Sequence, residues 1–387
     1  MKRHHGFLYV LLLALLCCKK PFTPSIVSSP NSYLVVEGVI NSGSDSTIIK
    51  LTKTVKLNQQ VVQNPLLGAI VTVESDQNAS YPLLDLNSTG NYGAPSLNLA
   101  STQKYRLHIK TTSGSEYMSD FVAVKPTPPI DSIGYIIQNG NVNIYINTHD
   151  PSNNTRYYRW EYQETWQFHS KSQSLWMLDT TTNTIVPRPI SLYNYNCFGN
   201  YASSTILLNS TAKLSQDVVY QSPVTQFSIN AERIETKYSI LIKQYALTNQ
   251  SFEFYQNIKN NTESLGSIFD AQPTQLIGNI HNVNNTNEPV IGFITVTNVQ
   301  SKRIFLTNNI VPLYTQVHYP YDCGEGTALY VAPFGLTVED LLIYPPITNI
   351  PTSAVYTNGV IIGFKYDAIP CVDCTIRGTK TVPTFWK

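Results

Sequence analysis

Six cysteines carry the most constrained chemistry in this chain: Cys17 and Cys18 close an apolar run, Cys197 and Cys323 stand alone, and Cys371 and Cys374 form a CxxC pair. A thiol directly after an apolar export signal can be acylated and become a new N-terminus. Cys18 suits that role better than the alternative, Cys17, because small Cys17 precedes the one and bulky Leu16 the other. The remaining thiols, Cys197, Cys323, Cys371 and Cys374, could hold zinc, since CxxC is half of such a site. The other half is missing, because Cys197 and Cys323 lie far apart. An exported chain meets an oxidising compartment, so two disulfides are the expected state. Four thiols allow three connectivities. We expect Cys323 to pair with Cys371 or Cys374, stapling the C-terminal segment to the preceding loop. A redox CxxC usually opens a helix, and TIRGTKTVPTF does not read as one.

Acid–base and metal chemistry find less to work with. His149-Asp150 could serve a metal or a proton relay, but the simpler reading is a strand end, with Asp150 capping the turn before Pro151. Glu161 and Glu164 offer the two carboxylates that a glycosidase sets ~5–10 Å apart across a cleft. Three apart on a strand, they point to opposite sides of the sheet, which argues against that pairing. His108 sits with Lys104, Arg106 and Lys110 on the polar side of an alternating stretch and reads as solvated, not as a ligand. No GxSxG elbow, HExxH, phosphate loop or EF-hand loop occurs. We therefore expect no catalytic residue, no metal ligand and no cofactor.

These side chains need elements to hold them. Lys2 and Arg3, the apolar run at 7–16 and the cysteine pair make residues 1–17 a lipoprotein signal peptide. A ten-residue helix rises only ~15 Å against a hydrocarbon core of ~30 Å, so the run is too short for a permanent span. Residues 18–32, rich in Pro, Ser and Thr, read as a tether. Loss of residues 1–17 takes away two of 26 basic side chains and none of 25 acidic ones, leaving a charge near −1 with His neutral. No basic stripe appears, which argues against nucleic acid as a partner. Charged residues make up only 13% of the chain, so disorder driven by net charge is excluded as well.

From residue 33 the chain reads as strands. YLVVEGVIN, STIIKLTKT, AIVTVES, KYRLHIKT and EYMSDFVAV carry β-formers between turn residues. Residues 33–125 resemble a transthyretin-like or carboxypeptidase-regulatory-like sandwich, or an immunoglobulin-like one, of about seven strands. PTPPIDS at 126–132 is the boundary, since clustered prolines cannot continue a ladder. Residues 130–387 read as a larger fibronectin- or immunoglobulin-like sandwich with insertions and a Cys-containing C-terminal segment. Trp160 would pack in its core, with Arg156, Arg159 and Glu161 around it. One helix is expected near 249–265, capped by Asn249 or Ser251. Residues 288–306 read as a hairpin with its turn at 298–302. The fold class is mostly β, with two β-sandwich domains.

Tyr193, Tyr195, Phe198 and Tyr201 cluster in an irregular loop, and Phe385 and Trp386 stand just before the final Lys387. Aromatics of this kind build cores and also anchor contacts. Packing is the first reading for the loop and a partner surface the second.

The pieces LVVEGVIN, PTPPIDSIGY, NTRYYRWEYQETW, QPTQLIGNI, EPVIGFITVTNVQSKRIF and CVDCTIRGTKTVPTFW, in this order after the double cysteine, resemble the Bacteroidota lipoproteins of domain-of-unknown-function family 4249. The resemblance implies an outer-membrane lipoprotein of the cell envelope, without enzyme activity, that assists a TonB-dependent receptor in nutrient uptake. Lys19 and Lys20 replace the acidic residues that surface-displayed lipoproteins of that phylum carry, which leaves the periplasmic and cell-surface faces both open. Asp45-Ser46-Thr47, Asp131-Ser132-Ile133 and Asp179-Thr180-Thr181 resemble the O-glycosylation acceptor of the same group, marking Ser46, Ser132 and Thr180. A surface adhesin or carbohydrate-binding module with a glycan ligand is the alternative class. A hydrolase comes third.

Overall fold

The alternation in KYRLHIK becomes the strand Lys104–Lys110, with Tyr105, Leu107 and Ile109 wholly buried and the charged side chains on the opposite face. Each such apolar side chain is worth about 1.5–3 kcal/mol relative to exposure, which pins the register of the strand. The computed structural model describes residues 32–55, 64–263, 276–312, 316–331, 337–343 and 347–386. Residues 1–31, read from the sequence as signal peptide and tether and including Cys17 and Cys18, lie outside the described residues.

The first body is one ten-stranded sheet folded around a single core. Along it run Glu116–Ser119, Lys104–Lys110, Ile70–Ser75, Ser80–Asp85, Asn91–Ala94, Thr47–Lys53 and Leu34–Asn41, each hydrogen-bonded to the next. Its two outermost strands come from far along the chain. Ile280–Asn282 pairs antiparallel with residues 117–119, and Val296–Thr297 runs parallel to Ile40 and Asn41. Asn279 clamps this returning segment, donating to Ile294 O at 2.9 Å and accepting from Ile294 N at 2.8 Å. Gly278 passes so close beneath Gly292 that a Cβ would sit 1.8 Å from its carbonyl oxygen.

This return corrects two expectations. The first body is not confined to residues 33–125, and residues 288–306 do not form a hairpin. Ile294 and Val296 are buried in the first core, whereas Gln300–Thr307 pairs with Lys237–Ala246 in the second body. One apolar run serves two cores, crossing between them at Asn298.

The second body follows from PTPPIDS. Ile130–Gln138, Asn141–His149 and Val218–Ser228 make a three-stranded sheet. It faces a sheet ordered Asn196–Ala202, Tyr157–His169, Lys237–Ala246, Gln300–Thr307, with Leu207–Ser210 extending the first edge. With Asn196–Ala202 and Leu207–Ser210 counted as one interrupted edge strand, strands one, two and five of this body in chain order oppose strands three, four, six and seven, the fibronectin type III arrangement. Trp160 is 1% exposed between the sheets, stacked on Tyr158 at 5.7 Å, and donates to Gln244 Oε1 at 2.8 Å. Gln244 in turn donates to Pro128 O at 2.8 Å. Thr127 meets Thr297 at 2.6 Å and Asn298 at 2.7 Å. The proline segment is thus buttressed from both bodies.

Two insertions and a tail complete the chain. The helix Asn249–Glu263 is capped by Thr248, whose Oγ1 accepts from Ser251 N at 3.2 Å, in place of Asn249 or Ser251. The expected end near Leu265 falls outside the described residues. The hairpin Trp176–Asp179 and Thr184–Pro187 packs on a third small sheet of Gly326–Leu329, Val360–Ala368 and Asn349–Thr357. Trp176 meets Phe364 edge-on at 5.1 Å in this satellite core.

Candidate functional site

After the third sheet the chain turns back over the outer face of the fibronectin-like body. Two disulfides fix it there: Cys323 to Cys371, and Cys197 to Cys374. The CxxC cysteines therefore take different partners, one on the preceding loop and one on the edge strand Asn196–Ala202. Cys323, Cys371 and Asp367 come together, but with both sulfurs in a disulfide the group has no thiolate to offer a metal. Phe198 and Thr379 exchange backbone hydrogen bonds of 2.8 and 3.0 Å, so the tail lengthens the sheet by one bridge. Gly378 permits that approach, since a Cβ would stand 2.5 Å from Phe198 O. Arg377 Nε adds a 2.9 Å hydrogen bond to Glu232.

The last residues then close an aromatic and cationic face. Trp386 meets Phe198 at 5.1 Å and Phe305 at 5.6 Å, both edge-on. Lys237 Nζ lies 4.9 Å from the Phe305 ring and 5.6 Å from Trp386. The Arg303 guanidinium stands 3.6 Å from the Phe385 ring centre and donates to Ser239 Oγ at 2.9 Å. Burial lowers the pKa of Arg303, so its charge is partly stripped of water and exposed to the ring. Such contacts are worth ~0.5–1 kcal/mol when exposed and about 2 or more when desolvated.

The structure brings the two aromatic groups singled out in the sequence together at Phe198 and Trp386. Phe198 follows the first reading, packing, and not the second: at 7% exposed it is packed away beneath the tail and offers no partner surface. Tyr195 stacks on His169 at 4.7 Å, Tyr193 is half-buried, and Tyr201 remains open to solvent. Phe385 and Trp386 are half-buried. Phe305, Arg303 and Lys237 join this face beyond the aromatics that the sequence marks. The alternation in KRIF sets Arg303 and Phe305 on one face, a signal concealed when the stretch is read as a hairpin arm.

The other candidates disperse. Asp150 accepts from Ser152 N, Ser152 Oγ, Asn154 N and Thr155 N at 2.6–3.1 Å, ending its strand as expected. Burial opposes its charge, yet the hydrogen bonds from Ser152 and Thr155 outweigh it and hold the carboxyl at about 2. His149 instead turns to Asp131 at 2.7 Å, which raises its pKa. Glu161 and Glu164 lie on opposite faces. Glu161 binds Arg159 at 2.7 Å and Tyr245 at 2.8 Å outside the sandwich. Glu164 is buried inside it, where desolvation raises its pKa against Tyr238 at 2.7 Å and Arg233 at 3.1 Å. His108 is not merely solvated: its ring bridges Glu74 at 2.6 Å and Glu116 at 2.7 Å, because strand register sets both carboxylates beside it. Ser46, Ser132 and Thr180 are all exposed.

The family described as domain of unknown function DUF4249 matches residues 19–303. No curated protein matches the chain. Among solved structures, a two-domain fibronectin type III segment of chicken tenascin is similar at 11% identity, covering 56% of this chain and 93% of that one with a TM-score of 0.17. A putative carbohydrate binding protein from Bacteroides uniformis is similar at 10% identity, covering 56% and 90%, with a TM-score of 0.14.

Proposed function

We propose a docking role for this chain, which belongs to the DUF4249 family of domains of unknown function. It acts as a lipid-anchored envelope protein that binds a TonB-dependent outer-membrane receptor during nutrient uptake and turns over no substrate. The observation that carries this reading is the face where Phe305, Phe385 and Trp386 meet Arg303 and Lys237. Aromatic and Arg side chains are enriched at the energetic centres of protein interfaces, and a tail fixed by disulfides presents them with little ordering left to lose. Acylation of Cys18 would confine the protein to a membrane, where even weak contacts gain from high effective concentration. The sequence resemblance to Bacteroidota envelope lipoproteins supplies the class of partner.

A stable interface of this kind buries about 1,200–2,000 Å² in total. With net charge near zero and the cations of the face held over aromatic rings, association should change little with salt. Affinity purification from native membranes tests the reading. A TonB-dependent receptor should co-purify, and deletion of the protein should impair uptake through it. Recovery of the protein alone, with uptake unchanged on deletion, would favour a free-standing binding module.

A further inference from the structure

On the same outer face, at the end nearer the first body, the edge strand breaks. Asn196–Ala202 covers residues 163–169 of the central strand and Leu207–Ser210 covers residues 157–160, leaving 203–206 to loop between them. A cleft of about 160 Å³ opens at the break, lined by Arg159, Glu161, Lys243, Ser204 and Thr205 among others. A second, of about 190 Å³, shares Arg159, Glu161 and Lys243 and is completed by Asp45 and Ser46 of the first body. The helix end fixes the far wall, with Lys259 donating to Ile206 O at 2.9 Å and Glu263 accepting from Ile206 N at 2.8 Å.

The charges in the first cleft do not balance. Arg159 is clamped between the rings of Tyr245 at 4.4 Å and Tyr255 at 4.6 Å and is paired to Glu161. Glu161 spends its second oxygen on the Tyr245 hydroxyl. Among the described residues Lys243 then forms no ion pair, and Arg159 Nε is buried without a hydrogen-bond partner. The first cleft therefore holds two cations against one engaged carboxylate. The second cleft is even in charge, because Asp45 joins Glu161 against the same two cations, and it adds the Ser46 hydroxyl. Asp45 can receive hydrogen bonds there and Ser46 can also donate them, while Lys243 stays without an ion pair among the described residues.

We infer that the paired clefts bind a small carboxylate-bearing polyhydroxy compound, a sugar acid, with its carboxylate beside Lys243 and its hydroxyls toward Thr205, Ser46 and Asp45. The second cleft lies between the two bodies, a common position for ligand sites, and clefts of this size suit a single sugar ring better than a drug-sized molecule. This site is independent of receptor docking at the aromatic face.

Calorimetric titration of the full mature protein with galacturonate, galactose and acetate tests the inference. Galacturonate should bind saturably, with galactose and acetate at least tenfold weaker. Lys243→Gln should weaken galacturonate binding tenfold or more, and Thr205→Val, at an exposed position, about threefold, each with an unchanged thermal midpoint. Absence of galacturonate binding, equal binding of acetate, or unaltered binding by a folded Lys243→Gln variant would overturn it.

Discussion

Asp150 sets the turn between the second and third strands of the fibronectin-like body by accepting four hydrogen bonds within five residues. Its carboxyl is held at about 2, below the usual carboxylate range near ~3.9. A group with a depressed folded pKa stabilises fully above its unfolded value and loses that contribution as pH falls through the folded one. Asp150→Asn should therefore cost about 1–2 kcal/mol at pH 7 and markedly less near pH 2, measured by denaturant unfolding at both. An equal cost at both values would mean that shape, not charge, matters at the turn. His149 behaves oppositely: Asp131 raises its pKa, so its small contribution is complete below ~6.5 and fades as pH rises through the folded value. At this scale Asp150, Trp160 and the opposed faces of Glu161 and Glu164 were legible, because each depends on spacing within one strand. The carboxylates around His108 were not, since they arrive from neighbouring strands whose register no local pattern prints.

The elements differ in what holds them. The strands at 34–41 and 104–110 rest on their own alternation, whereas the tail depends on covalent ties and borrowed edges. Peptide mapping without reductant should recover Cys197 joined to Cys374 and Cys323 joined to Cys371, with no free thiol among the four. Replacing Cys197 and Cys374 together by Ala should lower stability by about 2–5 kcal/mol and loosen the Phe198 and Trp386 contact. Reduced cysteines holding zinc would refute this arrangement. The misreading of residues 288–306 has a physical cause. Two β-forming runs around a short polar step look alike whether they fold back on each other or part into different sheets, and only long-range burial decides. Ile294 and Val296 fill a core begun more than 250 residues earlier by Leu34 and Val36.

For the whole molecule, the consequence of that crossing is that two sandwiches share one seam. Thr127, Thr297, Asn298 and Gln244 hydrogen-bond across it, and Val39, Tyr245 and Leu247 pack beside it. A mostly β architecture with a fibronectin-like second body was readable from strand spacing and the position of Trp160. The exchange of strands between bodies and the closing of the outer face by the tail were not, because both are set by contacts far apart in sequence. They leave one end of that face with small polar clefts and the other with clustered rings and cations. The second is the end proposed for protein docking. Site-specific photo-cross-linking from position 305 in intact cells tests this most directly, with position 356, whose Tyr is 58% exposed on the third sheet, as the control. Docking at this end requires a cross-link from 305 to a TonB-dependent receptor and none from 356. No adduct from 305, or the same adducts from both positions, would contradict it.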